Sequence, residues 1–253
     1  MPLNTVETPS NSPNGPRLRI ASTSTTSPCN SCKHRRLNFC GVLGGEDGTI
    51  RKRHRTTTAR HNVPGASEVS EGTLVICEGW AVRYVQLPNG KRQVLSVVLP
   101  GDLVSPASIF DQQKHAFSVQ AVTDVRYCHL KSEDIQAKMA SEPSVLNAWA
   151  QLTADENRSA DDHLVDLGQR SAQERIASLI LRILAQFENR GELQDMEFPF
   201  PLRQQHIADL TGLTPVHVCR VLSAFRKDGI FQIEGGIAKI SDLAALQGIA
   251  ASA

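Results

Sequence analysis

Three cysteines crowd the front of the chain. Cys29-Asn-Ser-Cys32 is followed by Cys40, a C-x2-C-x7-C spacing. Closely spaced thiolates can occupy several corners of one soft-metal centre, and the loop that joins them needs little extra ordering to do so. Three donors are one short of four. Cys128, far away in sequence at the end of a strand-like stretch, can fold back onto them. From spacing alone the set is equally able to hold a structural zinc or to act as a thiol switch by disulfide exchange. Cys77 lies in an apolar, strand-like stretch and reads as a buried core thiol, with a reserve role as the fourth donor. Cys219 reads as a small residue on a helix. No nucleophile–base–acid set, phosphate loop or His-based metal motif stands out, and His34, His115, His129 and His163 are scattered. An enzyme is therefore not expected.

A second chemistry lies in the last quarter of the chain. Gln204 to Leu222 reads as two short helices joined by a tight turn. Ala208 is small enough for a close helix crossing, and Gly212 supplies a positive φ. Thr214 can cap the second helix, with Pro215 at its first position. Val218, Leu222 and Phe225 recur at helical spacing and face inward. That leaves Pro215, Val216, His217, Cys219, Arg220 and Ser223 for base edges and phosphates, with Thr214 at the cap and Arg203 just upstream. Lys227-Asp228-Gly229 resembles a helix end with glycine in the left-handed region. Ile230–Ile233 and Ile237–Ile240 flank Glu234-Gly235-Gly236, which makes a hairpin, so the unit is a winged helix. The net charge is only +1, so DNA affinity must come from a local patch: Arg203, His217, Arg220, Arg226 and Lys227. The run Arg51–Arg55 reads as a solvated surface or loop.

The elements that must position these residues follow from composition. The chain has 253 residues and 40% hydrophobic content, enough for two modest cores. Residues 1–27 are rich in Ser, Thr, Pro and Asn and read as a disordered tail. Residues 28–143 hold the cysteine cluster and a sensory domain of short strands: Leu74–Leu87, a turn at Pro88-Asn89-Gly90, Gln93–Leu99, a turn at Pro100-Gly101-Asp102, and Phe117–Leu130. Residues 44–71 have poor periodicity. Residues 144–168 read as a long helix with an apolar stripe, Val145, Leu146, Trp149, Leu152, Leu164 and Leu167. Its acidic middle is Asp155, Glu156, Asp161 and Asp162 against Arg158. Pairing of two such helices would bring some acids together and weaken the dimer by on the order of a kcal/mol. Residues 169–253 form the DNA-binding domain, led by an amphipathic helix over 171–189. No apolar stretch approaches the roughly 18 residues of a membrane span, and no secretory h-region is visible. A reducing cytosol, with the cysteines as thiols or ligands, is the expectation.

The order of these motifs resembles the Crp/Fnr family of bacterial transcription regulators. Glu78-Gly79-Trp80-Ala81, Leu87–Val94 and Leu99-Pro-Gly-Asp102 resemble its sensory roll, and Ser171–Ile176 and the helix-turn-helix resemble its later part; the likeness spans roughly residues 72–245. It implies an α+β fold: an N-terminal antiparallel β-roll (a cyclic-nucleotide-binding-like jelly roll), a long dimerisation helix and a C-terminal winged helix-turn-helix. The implied partners are double-stranded promoter DNA, a second copy of the chain as a homodimer, and RNA polymerase. Cyclic nucleotide is not expected. Between Ser105 and Ser118 there is neither an acid–glycine pair in place nor an arginine, and Lys114 and His115 are poor substitutes.

The cysteines resemble the Fnr branch, in which three N-terminal cysteines and one in the sensory domain hold a [4Fe–4S] cluster. Carried over, the ligands are Cys29, Cys32, Cys40 and Cys128. That implies a sensor of oxygen, nitric oxide or general redox state that controls dimerisation and promoter binding. The alternative is a regulator of the same family without a cluster, controlled by thiol redox, zinc or another effector. Arg220 matches the family's guanine-reading arginine, suited to bidentate contact with O6 and N7. The usual glutamate in the first turn is Val216 here, so an altered half-site is implied.

Overall fold

The computed structural model describes residues 39–43, 53–64, 72–110 and 117–251. The tail 1–27, Cys29, Cys32, Arg51, Lys114 and His115 all lie outside these ranges.

The roll is two three-stranded antiparallel sheets. One has the order β1–β6–β2, from β1 (Arg53–Thr57), β2 (Gly72–Glu78) and β6 (Val125–Lys131); the other is β4–β3–β5, from β3 (Ala81–Gln86), β4 (Arg92–Val98) and β5 (Ser118–Ala121). Leu74, Ile76, Val125 and Tyr127 of the first sheet meet Ala81, Val98, Val119 and Ala121 of the second in one buried layer. The opposite face of the first sheet, with Val75, Cys128 and Leu130, is covered by helices. Because β2 is covered on both faces, it reads as a continuous apolar run rather than an alternation.

Two of the long strand-like stretches are each two strands. Leu74–Leu87 breaks at Gly79, whose φ is +80° and whose Cβ, were it another residue, would fall 2.0 Å from the carbonyl oxygen of Asp124. Phe117–Leu130 breaks at residues 122–124, against that glycine. The roll also begins earlier than Leu74: the basic run contributes β1, where His54 is half-buried and Arg55 and Thr56 are exposed.

Helix α1 (Phe39–Leu43) and helix α2 (Ser132–Ser141) pack beside the long α3 (Pro143–Gln169), which continues through Gly168. Val145, Trp149 and Leu152 use one side of the expected stripe against the roll, while Leu146 and Leu164 stay exposed. Helix α4 (Ala172–Asn189) starts at a capping box of Ser171 and Glu174. It packs with α5 (Gln204–Thr211), α6 (Pro215–Lys227), the wing β7–β9–β8 (Glu197–Pro199, Ile237–Ile240, Phe231–Glu234) and α7 (Leu243–Ala250). Strand β7 and helices α2 and α7 were not expected from the sequence. Trp80 leaves the roll to stack on Phe187, with ring centroids 5.9 Å apart, and to meet Phe200 edge-on at 6.4 Å. Val82, Tyr84 and Val94 follow it into the core of the DNA-binding domain.

Candidate functional site

The reading surface is set by local chemistry. Gly212 ends α5 at φ +66°, and the Leu213 N–H donates to the Ala208 carbonyl at 3.0 Å. Thr214 caps α6 by accepting from the His217 N–H at 3.3 Å, with Pro215 in the first turn. Val218, Val221 and Phe225 are buried; Leu222, expected among them, is half-buried and packs at the margin. Thr214, Val216, His217, Cys219, Arg220 and Ser223 are exposed and Pro215 is half-buried, so the residues expected to face DNA form one outward strip. Arg203 is exposed at the start of α5, where its backbone N–H donates to His206 Nδ1 at 3.1 Å. Burial, then the charges of Arg92 and Arg203, holds the His206 pKa below the usual range, in keeping with a neutral acceptor ring. Arg226 and Lys227 extend the positive strip at the end of α6. The wing turns at Gly235 and Gly236, both at positive φ.

A second constellation lies on the helix-covered face of the first sheet. Cys128 is fully buried and stands opposite Val75 on β2 and opposite His54 on β1. Cys77 is the extra residue of a β-bulge between Ile76 and Glu78, which turns its thiol toward Cys128. It is half-buried rather than a sealed core thiol. Its Sγ lies 3.9 Å from His54 Nδ1. A hydrogen bond from Cys128 is the main influence that brings the Cys77 pKa down to about 5; burial opposes it, and His54 and Arg126 assist. Cys40, on α1, packs against the same apolar cluster. The fold therefore gathers Cys40 and Cys128, and adds Cys77 and His54. Only the thiols were visible as chemistry in the sequence; a sheet register was needed to place His54 beside them. Among the described residues no three histidine, cysteine or carboxylate side chains are arranged to hold a metal ion.

Between the roll, α3 and α4 is a cavity of about 620 Å³. Its arginines are each held by a carboxylate: Arg83 by Glu156 at 3.4 Å, Arg190 by Asp102 at 2.6 Å and Arg182 by Asp166. Glu156 is thereby removed from the acidic face expected on the long helix, and burial raises its pKa despite Arg83. None of these pairings has a local sequence signal, because the partners are 16, 73 and 88 residues apart.

A roll, a long helix and a winged helix with an exposed reading face define a DNA-binding transcription regulator. The comparisons agree. The cyclic nucleotide-binding domain pattern matches residues 45–142, and that of the Crp-like helix-turn-helix domain matches residues 174–249. The transcriptional activator protein FnrL of Cereibacter sphaeroides is 29% identical over 214 residues, covering 82% of this chain and 85% of that protein. The nitrogen fixation regulation protein FixK of Bradyrhizobium diazoefficiens is 28% identical over 233 residues, covering 88% and 94%. Among solved structures, FixK2 from Bradyrhizobium japonicum superposes with a TM-score of 0.68 at 22% identity, covering 80% of this chain and 99% of that one. The chain belongs to the Crp/Fnr family of transcription regulators. The relatives are regulators, not enzymes. Among the described residues no helix is long and apolar enough to cross a membrane.

Proposed function

We propose that this regulator responds to oxygen, with Cys29, Cys32, Cys40 and Cys128 holding a [4Fe–4S] centre whose ligation favours the DNA-binding dimer. The observation that supports the reading is the position of Cys40. It sits on α1 in the apolar cluster shared by Cys128 of the roll and by Val145, Ala148, Trp149 and Leu152 of α3. An all-thiolate donor set suits iron–sulfur chemistry. When bound, such a centre supplies an oxygen-labile tie between the N-terminal segment and the roll. The chain's own residues translate the tie. Phe39 and Leu43 are buried, so fixing Cys40 near Cys128 fixes α1 against α3.

Helix α3 leaves Leu146, Leu164 and Val165 exposed at 44%, 67% and 51%, an apolar strip for the same helix of a second copy. Asp155, Asp161 and Asp162 are exposed and oppose that pairing, which makes the dimer sensitive to how α3 is held. In the dimer two copies of α6 meet half-sites about one helical turn apart, with RNA polymerase as the further partner. Arg220 reads guanine through O6 and N7, and Val216 leaves no acceptor for a cytosine amino group.

The test is anaerobic purification followed by iron and acid-labile sulfide analysis, an absorbance spectrum, and promoter binding before and after air. The expected result is an iron- and sulfide-containing protein whose dimer and DNA affinity fall in air. Cys29→Ser and Cys128→Ser each abolish that response. A colourless, iron-free protein that binds DNA equally with and without air would refute the reading.

A further inference from the structure

We propose that Cys77 and Cys128 form a reversible disulfide across β2 and β6 when the cluster-free protein meets a peroxide, and that this bond withholds Cys128 from metal ligation until a thiol reductant opens it. The second part rests on the reading of Cys128 as a ligand; the first does not.

The juxtaposition comes from the sheet. In a regular antiparallel pair, Cys77 would be diagonal to Cys128, with Cα atoms about 7–8 Å apart, beyond the usual disulfide span. The bulge at Cys77 breaks that spacing, and both thiols face the same apolar cluster on the helix-covered side of the sheet. Their accessibility differs: Cys128 is completely buried, whereas Cys77 is part-exposed at the end of the strand. An oxidant from solvent therefore meets Cys77 first, and Cys128, on the neighbouring strand of the same sheet, is placed to resolve the product. His54, at 3.9 Å from Cys77, offers a ring nitrogen beside the reacting sulfur.

The chemistry balances with hydrogen peroxide as the oxidant. The Cys77 sulfur attacks one peroxide oxygen, the O–O bond breaks, and the released hydroxide leaves as water with the thiol proton, giving a sulfenic acid. The Cys128 sulfur then attacks Cys77, the S–O bond breaks, and a second water carries away the Cys128 proton. Two thiols are oxidised to one disulfide and one peroxide is reduced to two waters. With the cluster in place Cys128 would be engaged and the pair could not form; the disulfide belongs to the state after cluster loss. It would separate a protein that has only lost its metal, ready to reassemble, from one that needs reduction first.

The experiment uses the full chain, freed of iron by chelation under anaerobic conditions and treated with hydrogen peroxide. After blocking free thiols, unreduced tryptic peptides are mapped by mass spectrometry. Peptides 61–83 and 127–131 each carry one cysteine. The expected product is their covalent pair, two hydrogens lighter than the sum, absent after reduction. If these peptides stay unlinked while peroxide sends Cys77 to sulfinic acid, or links Cys128 to Cys40, the proposal is overturned, whatever iron the protein takes up. Iron and sulfide uptake is measured in parallel. Peroxide-treated wild type should lose uptake and regain it with dithiothreitol, and peroxide-treated Cys77→Ser should keep it. Equal loss in Cys77→Ser would overturn the withholding role. Failure of the reduced, untreated protein to take up iron and sulfide would refute the cluster reading and with it the withholding role, while the linked peptide would still stand.

Discussion

Asp166→Asn should weaken the joint between the long helix and the DNA-binding domain. The Asp166 side chain is only 4% exposed at the end of α3. It accepts from Arg170 at 3.0 Å on one oxygen and from Arg182 of α4 on the other. Arg170 in turn donates to Ser178, so a single carboxylate organises both sides of the α3–α4 elbow. Asparagine keeps the shape and removes the charge that compensates two guanidiniums. Severing a fully buried ion pair costs about 3–5 kcal/mol. Here both arginine side chains are 26% exposed, so water recovers part of their solvation, and the expected loss is about 2 kcal/mol.

For a chain of this size that corresponds to a fall in Tm of about 4–8 °C. Circular dichroism during thermal and urea unfolding measures it, with Asp155→Asn as a control. Asp155 and Arg158 form an exposed pair at 69% and 73%, and their loss should cost less than about 0.5 kcal/mol. Promoter affinity should fall with Asp166→Asn and should not fall with Asp155→Asn, which removes one of the charges that oppose pairing of α3. If Asp166→Asn unfolds within about 0.5 kcal/mol of wild type, the elbow is held by apolar packing and the electrostatic argument fails.

Arg220→Ala should lose about 1–3 kcal/mol of specific promoter binding, read by fluorescence anisotropy against competitor DNA; unchanged affinity and base preference would take α6 out of the groove. Gly212→Ala forces an L side chain to φ +66° and sets its Cβ 3.2 Å from Leu167 Cδ2, so a loss of at least about 1 kcal/mol in thermal stability is expected. The depressed pKa of His206 means that the unfolded chain, near 6.5, binds a proton before the folded one does. Its stabilising contribution is complete above that pH and is lost as pH falls through the lower folded value. Urea midpoints should therefore drop on acidification below about pH 6.5, and His206→Gln should flatten that part of the profile; an unchanged slope would discard the assignment.

The DNA-reading unit was legible because everything that builds it is local. A small residue at 208, glycine at 212, a hydroxyl at 214, proline at 215 and apolar residues three or four apart act within two helical turns. The same locality made the wing turn and the amphipathic helix that starts at Ser171 readable. The long strand-like stretches were less so: burial on both faces of β2 erased the alternation that would have marked its end, and only Gly79's close approach to Asp124 fixes the break. Cys77 passed for a core thiol because hydrophobic context says nothing of a bulge.

Residue types and their spacing thus established a regulator with a roll, a long helix and a DNA-reading helix, and marked Cys128 as the distant thiol. Only the tertiary structure decided that Cys128 would share its neighbourhood with Cys40, Cys77 and His54, that Glu156 would turn from the acidic face to Arg83, and that Trp80 would dock into the DNA-binding domain. Those outcomes depend on strand register and on the meeting of elements far apart in the chain, where side-chain chemistry is fixed by which partner arrives rather than by its neighbours in sequence.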